Sequence, residues 1–317
     1  MILQENKHII VNYHYVEDPR GDFSGIYPCS VKDFERQIKF LSNNYKVGSI
    51  SDVYNAAKNN SQEKYCAITF DDGLKDQYEN AVPILKKYKA NAIFFPITST
   101  FFGKIPSTPK IHILLSNLSS EKLVDLTNDF LDKFYTELLA KFKIPKDKRV
   151  TEKRKLRDDI LTANFKETIN ILPNNIEKHL MDWLFEKLDL DEKKLCNELF
   201  MSKDEILYIK NQGFEIGNHT HEHFALDFQN EEQIKEDLQK SNKLLQDLIG
   251  SKPNIFSYPH GGANNAAKKI LSDENFKYAV TIERSNVTEN TDQLLIPRYD
   301  TMDLKSYIES LISDQTS

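Results

Sequence analysis

Ala67-Ile68-Thr69-Phe70-Asp71-Asp72-Gly73 decides how the rest of this chain is read. An apolar run rich in β-formers reads as a buried strand. Asp-Asp-Gly at its end reads as the turn that leaves it. Neighbouring side chains on a strand point to opposite sides, so the two carboxylates are expected to face different partners. Such a pair suits a division of labour in which one acid holds a metal and the other moves a proton. A plain Asp-Gly turn beside a solvated acid explains the stretch equally well until the histidines farther along are added.

Upstream, His8 to Val16 reads as a first buried strand with His14 near its C-terminal end. Ser30-Val31-Lys32-Asp33 resembles a capping box before a helix with Phe34, Ile38 and Leu41 at helical spacing. Lys46 to Ile50 reads as a short strand, and Ser51 as the cap of a second helix reaching about Asn59. Downstream, Val82, Leu85 and Tyr88 outline a helix, and Asn91 to Thr98 another strand. Strands alternating with helices point to parallel βα units.

The alternation breaks after Gly103, and no glycine follows until Gly213. Leu126, Phe130, Phe134, Leu138 and Phe142 recur every fourth residue, as do Ile176, Leu180, Leu184 and Leu188. The expectation is one barrel domain over residues 1–317 carrying a helical insertion at about 104–200. The insertion is expected to wall the cleft or to join copies of the chain into a homo-oligomer. His112 and His179 within it read as structural or surface histidines.

Alternation resumes with the capping box Ser202-Lys203-Asp204-Glu205. Short strands are expected at Phe214–Asn218, Asn254–Tyr258, Lys277–Ile282 and Gln293–Tyr299, with a long amphipathic helix from Glu231 to Ile249. Seven or eight strands with intervening helices fit a closed or nearly closed (β/α) barrel. An open doubly wound sheet is the other option. Both folds collect their sites at the C-terminal ends of strands, where the polar clusters of this chain fall.

The chain has 317 residues, 39% of them apolar and 28% charged, with a net charge of −6, which describes a globular protein. No basic excess exists to neutralise phosphates, which argues against a nucleic-acid partner. Cys29, Cys66 and Cys196 are too few and too far apart for a disulfide framework. The N-terminus lacks a basic segment followed by an apolar one, and no run approaches transmembrane length. The expectation is a cytoplasmic protein acting on a surface-glycan precursor.

Three of the eight histidines fall in His219-Thr220-His221-Glu222-His223. His219 and His223 can share one face of a helical turn, and His219 and His221 one side of an extended segment. Either pair supplies two nitrogens to a metal.

Thr69-Phe70-Asp71-Asp72-Gly73 together with His219-Thr220-His221-Glu222-His223 resembles the polysaccharide deacetylase family, the NodB-homology group of carbohydrate esterase family 4. Gly217-Asn218 and Tyr258-Pro259-His260-Gly261 look like the same family. The resemblance covers roughly residues 8–103 and 200–300. It implies a distorted (β/α)7 barrel and a metal-dependent hydrolase that removes N-acetyl groups from an amino sugar or glycan. By motif match Asp72, His219 and His223 are the metal ligands, Zn2+ being the expected ion, and Asp71 is the general base. Two nitrogens and one carboxylate leave a position open, as catalytic zinc requires. The metal is expected to acidify water and polarise the acetyl carbonyl. The oxyanion is expected to be held by the metal and by a backbone N–H near His260.

Two departures from the family pattern matter. The third motif, normally R-x-P-Y, is here Ser257-Tyr258-Pro259-His260, so the arginine that steadies the base is missing. Arg298, in Ile296-Pro297-Arg298-Tyr299, is the candidate to replace it from another position. The late leucine-x-histidine motif that supplies the acid is absent too. His14, in a Tyr-His pattern similar to relatives that deacetylate biofilm exopolysaccharides, is the preferred acid, and His260 the other candidate. The rival functions are an amide hydrolase or deformylase of a small or lipid-linked sugar, and a sugar-binding module with a decayed site.

Overall fold

The computed structural model describes residues 7–20, 26–152 and 158–314. Residues 1–6, on which the reading of the N-terminus partly rests, lie outside them.

Two compact units are distinguished, one formed by residues 1–18, 28–102 and 196–317, the other by 19–27 and 103–195. In chain order the elements are β1 (His8–Tyr13), α1 (Val31–Asn44), β2 (Lys46–Val47), α2 (Ile50–Lys58), β3 (Tyr65–Asp72), α3 (Val82–Tyr88) and β4 (Ile93–Pro96). Then come α4 (Ser107–Asn117), α5 (Ser120–Phe134), α6 (Thr136–Phe142), α7 (Ile160–Ile171), α8 (Asn174–Lys187) and α9 (Glu192–Leu199). The chain finishes with α10 (Lys203–Asn211), β5 (Glu215–Ile216), α11 (Glu231–Ile249), β6 (Ile255–Ser257), α12 (Asn265–Asp273), β7 (Tyr278–Val280), β8 (Tyr299–Asp300) and α13 (Thr301–Asp314).

All pairings between these strands are parallel. The main sheet runs β5-β4-β3-β1-β8, with short β2 also on β3, and β6 pairs with β7. Single bridges complete the circuit: Asn218 to Phe256 joins the end of β5 to β6, and Val280 to Ile296 joins β7 to the approach to β8. Seven strands thus follow one another round a ring, each running in the same direction. This is the α/β barrel with seven staves, and the open doubly wound alternative is excluded by the closing bridges.

Strand alternation sorts the apolar side chains to two faces, Phe256 of β6 and Ala279 of β7 packing outward with Leu238 of α11 and Ile270 of α12. Ile9, Val11, Tyr13, Ile68 and Phe70 pack outward with Phe34, Ile38 and Leu41 of α1. Ile10, Ala67, Ile93, Phe95, Ile255, Val280 and Ile296 form the inner cluster. Asn12 continues the parity of Ile10, and Thr69 and Asp71 that of Ala67, so the alternation carries these three polar residues above the apolar inner layer.

Several boundaries differ from the sequence reading. α2 is capped by Ser49 in a reciprocal box with Asp52, which puts Ser51 inside the helix. The periodic stripe from Leu126 to Phe142 is two helices, broken at Tyr135, whose backbone leaves helical geometry. The last strand is only Tyr299–Asp300, because residues 293–296 meet their neighbour through one bridge. The box at Ser202 and Glu205 is present in full.

The second unit has a core that includes Leu114, Leu123, Phe130, Phe165, Ile169, Leu180 and Leu184, all fully buried. Lys110 is only 4% exposed there, paired with Asp182 at 2.8 Å and Glu192 at 3.1 Å.

Candidate metal centre and active site

β3 ends in a forced bend. Asp72 has φ 73° and Gly73 φ 75°, both left-handed. A Cβ at Gly73 would lie 2.8 Å from Pro96 Cβ, so the turn has room only for glycine. The bend separates the two carboxylates: Asp71 stays on the inner face, and Asp72 turns toward the histidine loop.

Asp72 Oδ1 lies 3.4 Å from Nε2 of His219 and 3.4 Å from Nε2 of His223. The ligand atoms of the three residues lie within 4.8 Å of one another, all buried. His219 Nδ1 is 2.7 Å from the Ser257 carbonyl, which can only accept, so Nδ1 carries a hydrogen and Nε2 is the nitrogen that faces Asp72. Asp72 Oδ1 is buried with no hydrogen-bond partner. A carboxylate oxygen stranded between imidazole nitrogens fits a cation. Burial opposes ionisation of Asp72, yet the adjoining imidazoles of His219 and His223 hold its carboxyl well below the usual range. Burial drives His223 well below the ordinary histidine value, with His260 adding to the effect, so its ring is neutral as a ligand requires.

Asp71 faces Arg298. Arg298 Nη1 donates to Oδ1 at 2.9 Å and Nη2 to Oδ2 at 2.7 Å, a two-toothed pair with side chains 1% and 3% exposed. The rest of the guanidinium is spent on the Thr281 carbonyl, Asn12 Oδ1, Thr69 Oγ1 and Ser257 Oγ. Asn12 in turn donates to Asp71 Oδ2 at 3.1 Å. Burial is the largest influence on Asp71 and would raise its pKa, but the Arg298 charge, the His219 ring, the Arg298 hydrogen bonds and His14 together outweigh it and hold the carboxyl far below the ordinary range. Ser257 occupies the place of the motif's missing arginine, and the Arg298 fork reaches it from the approach to β8.

His14 leaves the end of β1 with Nε2 3.9 Å from Asp71 Oδ2 and 43% of its side chain exposed. Gln77, fully buried at the start of a π-helical turn, donates to the carbonyls of His14 at 3.0 Å and Asp71 at 2.6 Å. It ties the two strand ends together. His260 is exposed and left-handed at φ 55°, its ring 4.6 Å from that of His223. The Gly261 and Gly262 N–H groups of that turn are spent on the Tyr258 and Pro259 carbonyls. His221 points elsewhere, with Nδ1 2.9 Å from Thr98 Oγ1.

The structure thus gathers Asp71, Asp72, His14, His219 and His223 at the carboxyl ends of the strands, with Arg298 reaching in from the approach to β8 and His260 beside His223. Sequence reasoning missed Asn12, Gln77 and Ser257 as partners of the acid pair, and Asp237 as a partner of the histidine loop. Asn12 carried a signal, being a lone amide in the otherwise apolar run Ile9-Ile10-Val11-Asn12-Tyr13.

This chain is 23% identical over 316 residues to poly-beta-1,6-N-acetyl-D-glucosamine N-deacetylase of Staphylococcus aureus, covering 93% of this chain and 79% of the relative. Its fold matches the Streptococcus pyogenes deacetylase PplD in complex with acetate at a TM-score of 0.59, with 17% identity, over 93% of this chain and 92% of the other. IcaB from Ammonifex degensii matches at a TM-score of 0.57, with 16% identity, over 94% and 93% of the two chains. The family model for polysaccharide deacetylase matches residues 58–112 and 158–279, more than half of the sequence, and the chain belongs to that family.

Proposed function

We propose that this protein removes N-acetyl groups from a β-linked N-acetylglucosamine glycan at a zinc centre held by Asp72, His219 and His223. The observation that carries the reading is the unpartnered Asp72 oxygen between two imidazoles, directly beside an arginine-clamped Asp71. When bound, zinc supplies Lewis-acid polarisation of the acetyl carbonyl and acidification of water. Asp71 is the general base, kept ionised by Arg298 and aimed by Asn12. Arg298 and Ser257 together stand in for the motif arginine by keeping the Asp71 carboxylate fixed. His14, half-exposed and 3.9 Å from Asp71, is positioned to give a proton to the leaving amine. His260 is the runner-up for that role.

The test is acetate release from β-1,6-linked N-acetylglucosamine oligomers, with metal measured by elemental analysis. Asp72→Asn is expected to lose metal, since it removes ligand charge. Asp71→Asn is expected to keep metal and lose turnover. Both variants retaining full metal and full rate would overturn the assignment. Release of formate instead of acetate would favour the deformylase reading, and sugar binding without turnover of any amide would favour the decayed module.

We further propose that residues 1–317 form one deacetylase domain with an insertion at about 104–200, which limited proteolysis tests. The insertion joins copies of the chain, which sedimentation velocity tests. The protein resides in the cytoplasm, which cell fractionation tests; among the described residues no helix is long and apolar enough to cross a membrane.

A further inference from the structure

We propose that Asp237, on α11, is a positioning residue that sets the spacing of the two metal-binding histidines. The inference rests on the metal reading above. The loop from Asn218 to His223 carries both imidazoles, and two of its non-glycine residues, Thr220 at φ 65° and His223 at φ 62°, are left-handed. Such backbone persists only where its surroundings over-determine it. Two restraints are internal to the loop: Thr220 N–H donates to Asn218 Oδ1 at 2.7 Å, and His223 N–H to Thr220 Oγ1 at 3.0 Å. On one side Thr98 and Ser99 N–H groups donate to the Thr220 and His221 carbonyls at 3.2 and 3.1 Å.

The other side is held by α11. The two oxygens of Asp237 receive consecutive backbone N–H groups, that of His221 on Oδ1 and that of Glu222 on Oδ2 at 3.0 Å. One and a quarter turns farther along, Ser241 and Asn242 receive the Asn218 side-chain amide at 2.9 and 2.8 Å. One face of α11 therefore grips both the start and the middle of the loop. Ser241 is fully buried between Leu238 and Leu245, so this face is polar where an ordinary amphipathic helix is apolar. Among these restraints Asp237 brings a charge, which makes its hydrogen bonds the stronger ones. Its carboxylate touches neither imidazole; it acts through the backbone that spaces them.

Cobalt(II) titration, with affinity from chelator competition and visible bands reporting ligand geometry, tests this. Asp237→Asn leaves one acceptor oxygen for two N–H donors. It is expected to raise the cobalt Kd by about 10–100-fold and shift the bands. Leu238→Ala, in the same helix and more deeply buried than Asp237, is the control for loss of packing. It is expected to lower the melting temperature while leaving the cobalt Kd within about threefold, because it spares the loop's anchors. Wild-type affinity in Asp237→Asn, or an equal loss in Leu238→Ala, would overturn the proposal. Hydrogen exchange of the unaltered protein keeps the test valid if the variant does not fold: slow exchange of the His221 and Glu222 amides supports the clamp, and exchange at the rate of a free loop overturns it. No cobalt binding by the unaltered protein would overturn the metal reading itself.

Discussion

Arg298 sets the electrostatics of Asp71, the proposed base. A guanidinium with 1% of its side chain exposed is tolerable only when its donors are matched, and here they meet Asp71, Asn12, Thr69, Ser257 and the Thr281 carbonyl. Arg298→Ala is expected to cost about 3–5 kcal/mol in urea unfolding, because it strands the Asp71 charge in the interior. Arg298→Lys keeps a charge but loses the flat fork. It is expected to retain metal and to lower kcat by about tenfold or more, the equivalent of one charged hydrogen bond. His14 acts at the other edge of Asp71. His14→Ala is expected to slow acetate release by about 10²–10⁴-fold, the ordinary range for a general acid, with metal content unchanged. An unchanged rate would transfer the role to His260 or to solvent.

At the scale of elements, α8 carries a group with a titration of its own. Glu177 is 7% exposed, and burial pushes its carboxyl up to about 7 against the opposing pull of Ser107 and Lys110. In the unfolded chain a glutamate ionises near pH ~4.3. Between these values the native state holds a proton that the unfolded state has released. The contribution is therefore complete below the unfolded pKa and lost as pH rises through about 7. Glu177→Gln cannot ionise, so its stability relative to the parent is expected to be greater at pH ~8 than at pH ~4, the pH values lying on either side of the window. Urea unfolding at the two pH values measures it, and a pH-independent difference would remove burial of this carboxyl as the cause. The helical spacing in the sequence revealed α8 but not this acid. Periodicity reports which face is apolar, and a carboxyl on the buried side looks like noise in the stripe.

The whole molecule was legible where chemistry and local pattern coincide. β3 was readable because an apolar run stops abruptly at two acids and a glycine, and the histidine loop because three imidazoles crowd one strand exit. Asn12, Gln77 and Asp237 were not, because their meaning lies in partners brought together by the ring. Asn12 and Asp71 are 59 residues apart, and Arg298 and Asp71 are 227 apart. No window of sequence contains both members. The proposed ligand set, drawn from β3 and the β5–α11 loop, would make folding and metal binding one equilibrium. Removing the metal is expected to lower the unfolding free energy by about 2.7 kcal/mol relative to protein at hundredfold excess over Kd, seen as a fall in Tm on chelation.

The ring is stapled lightly where Arg298 enters it. β8 meets β1 through two residue pairs, and its approach meets β7 through a single bridge. Arg298 rides on that slender last stave. A transient unzipping there would carry the guanidinium off while the aromatic stack of Phe70 on Phe94 still stands. On gentle warming, then, hydrolysis should fade several degrees before circular dichroism records any melting. The catalyst would fail at a hinge pin, with its walls intact.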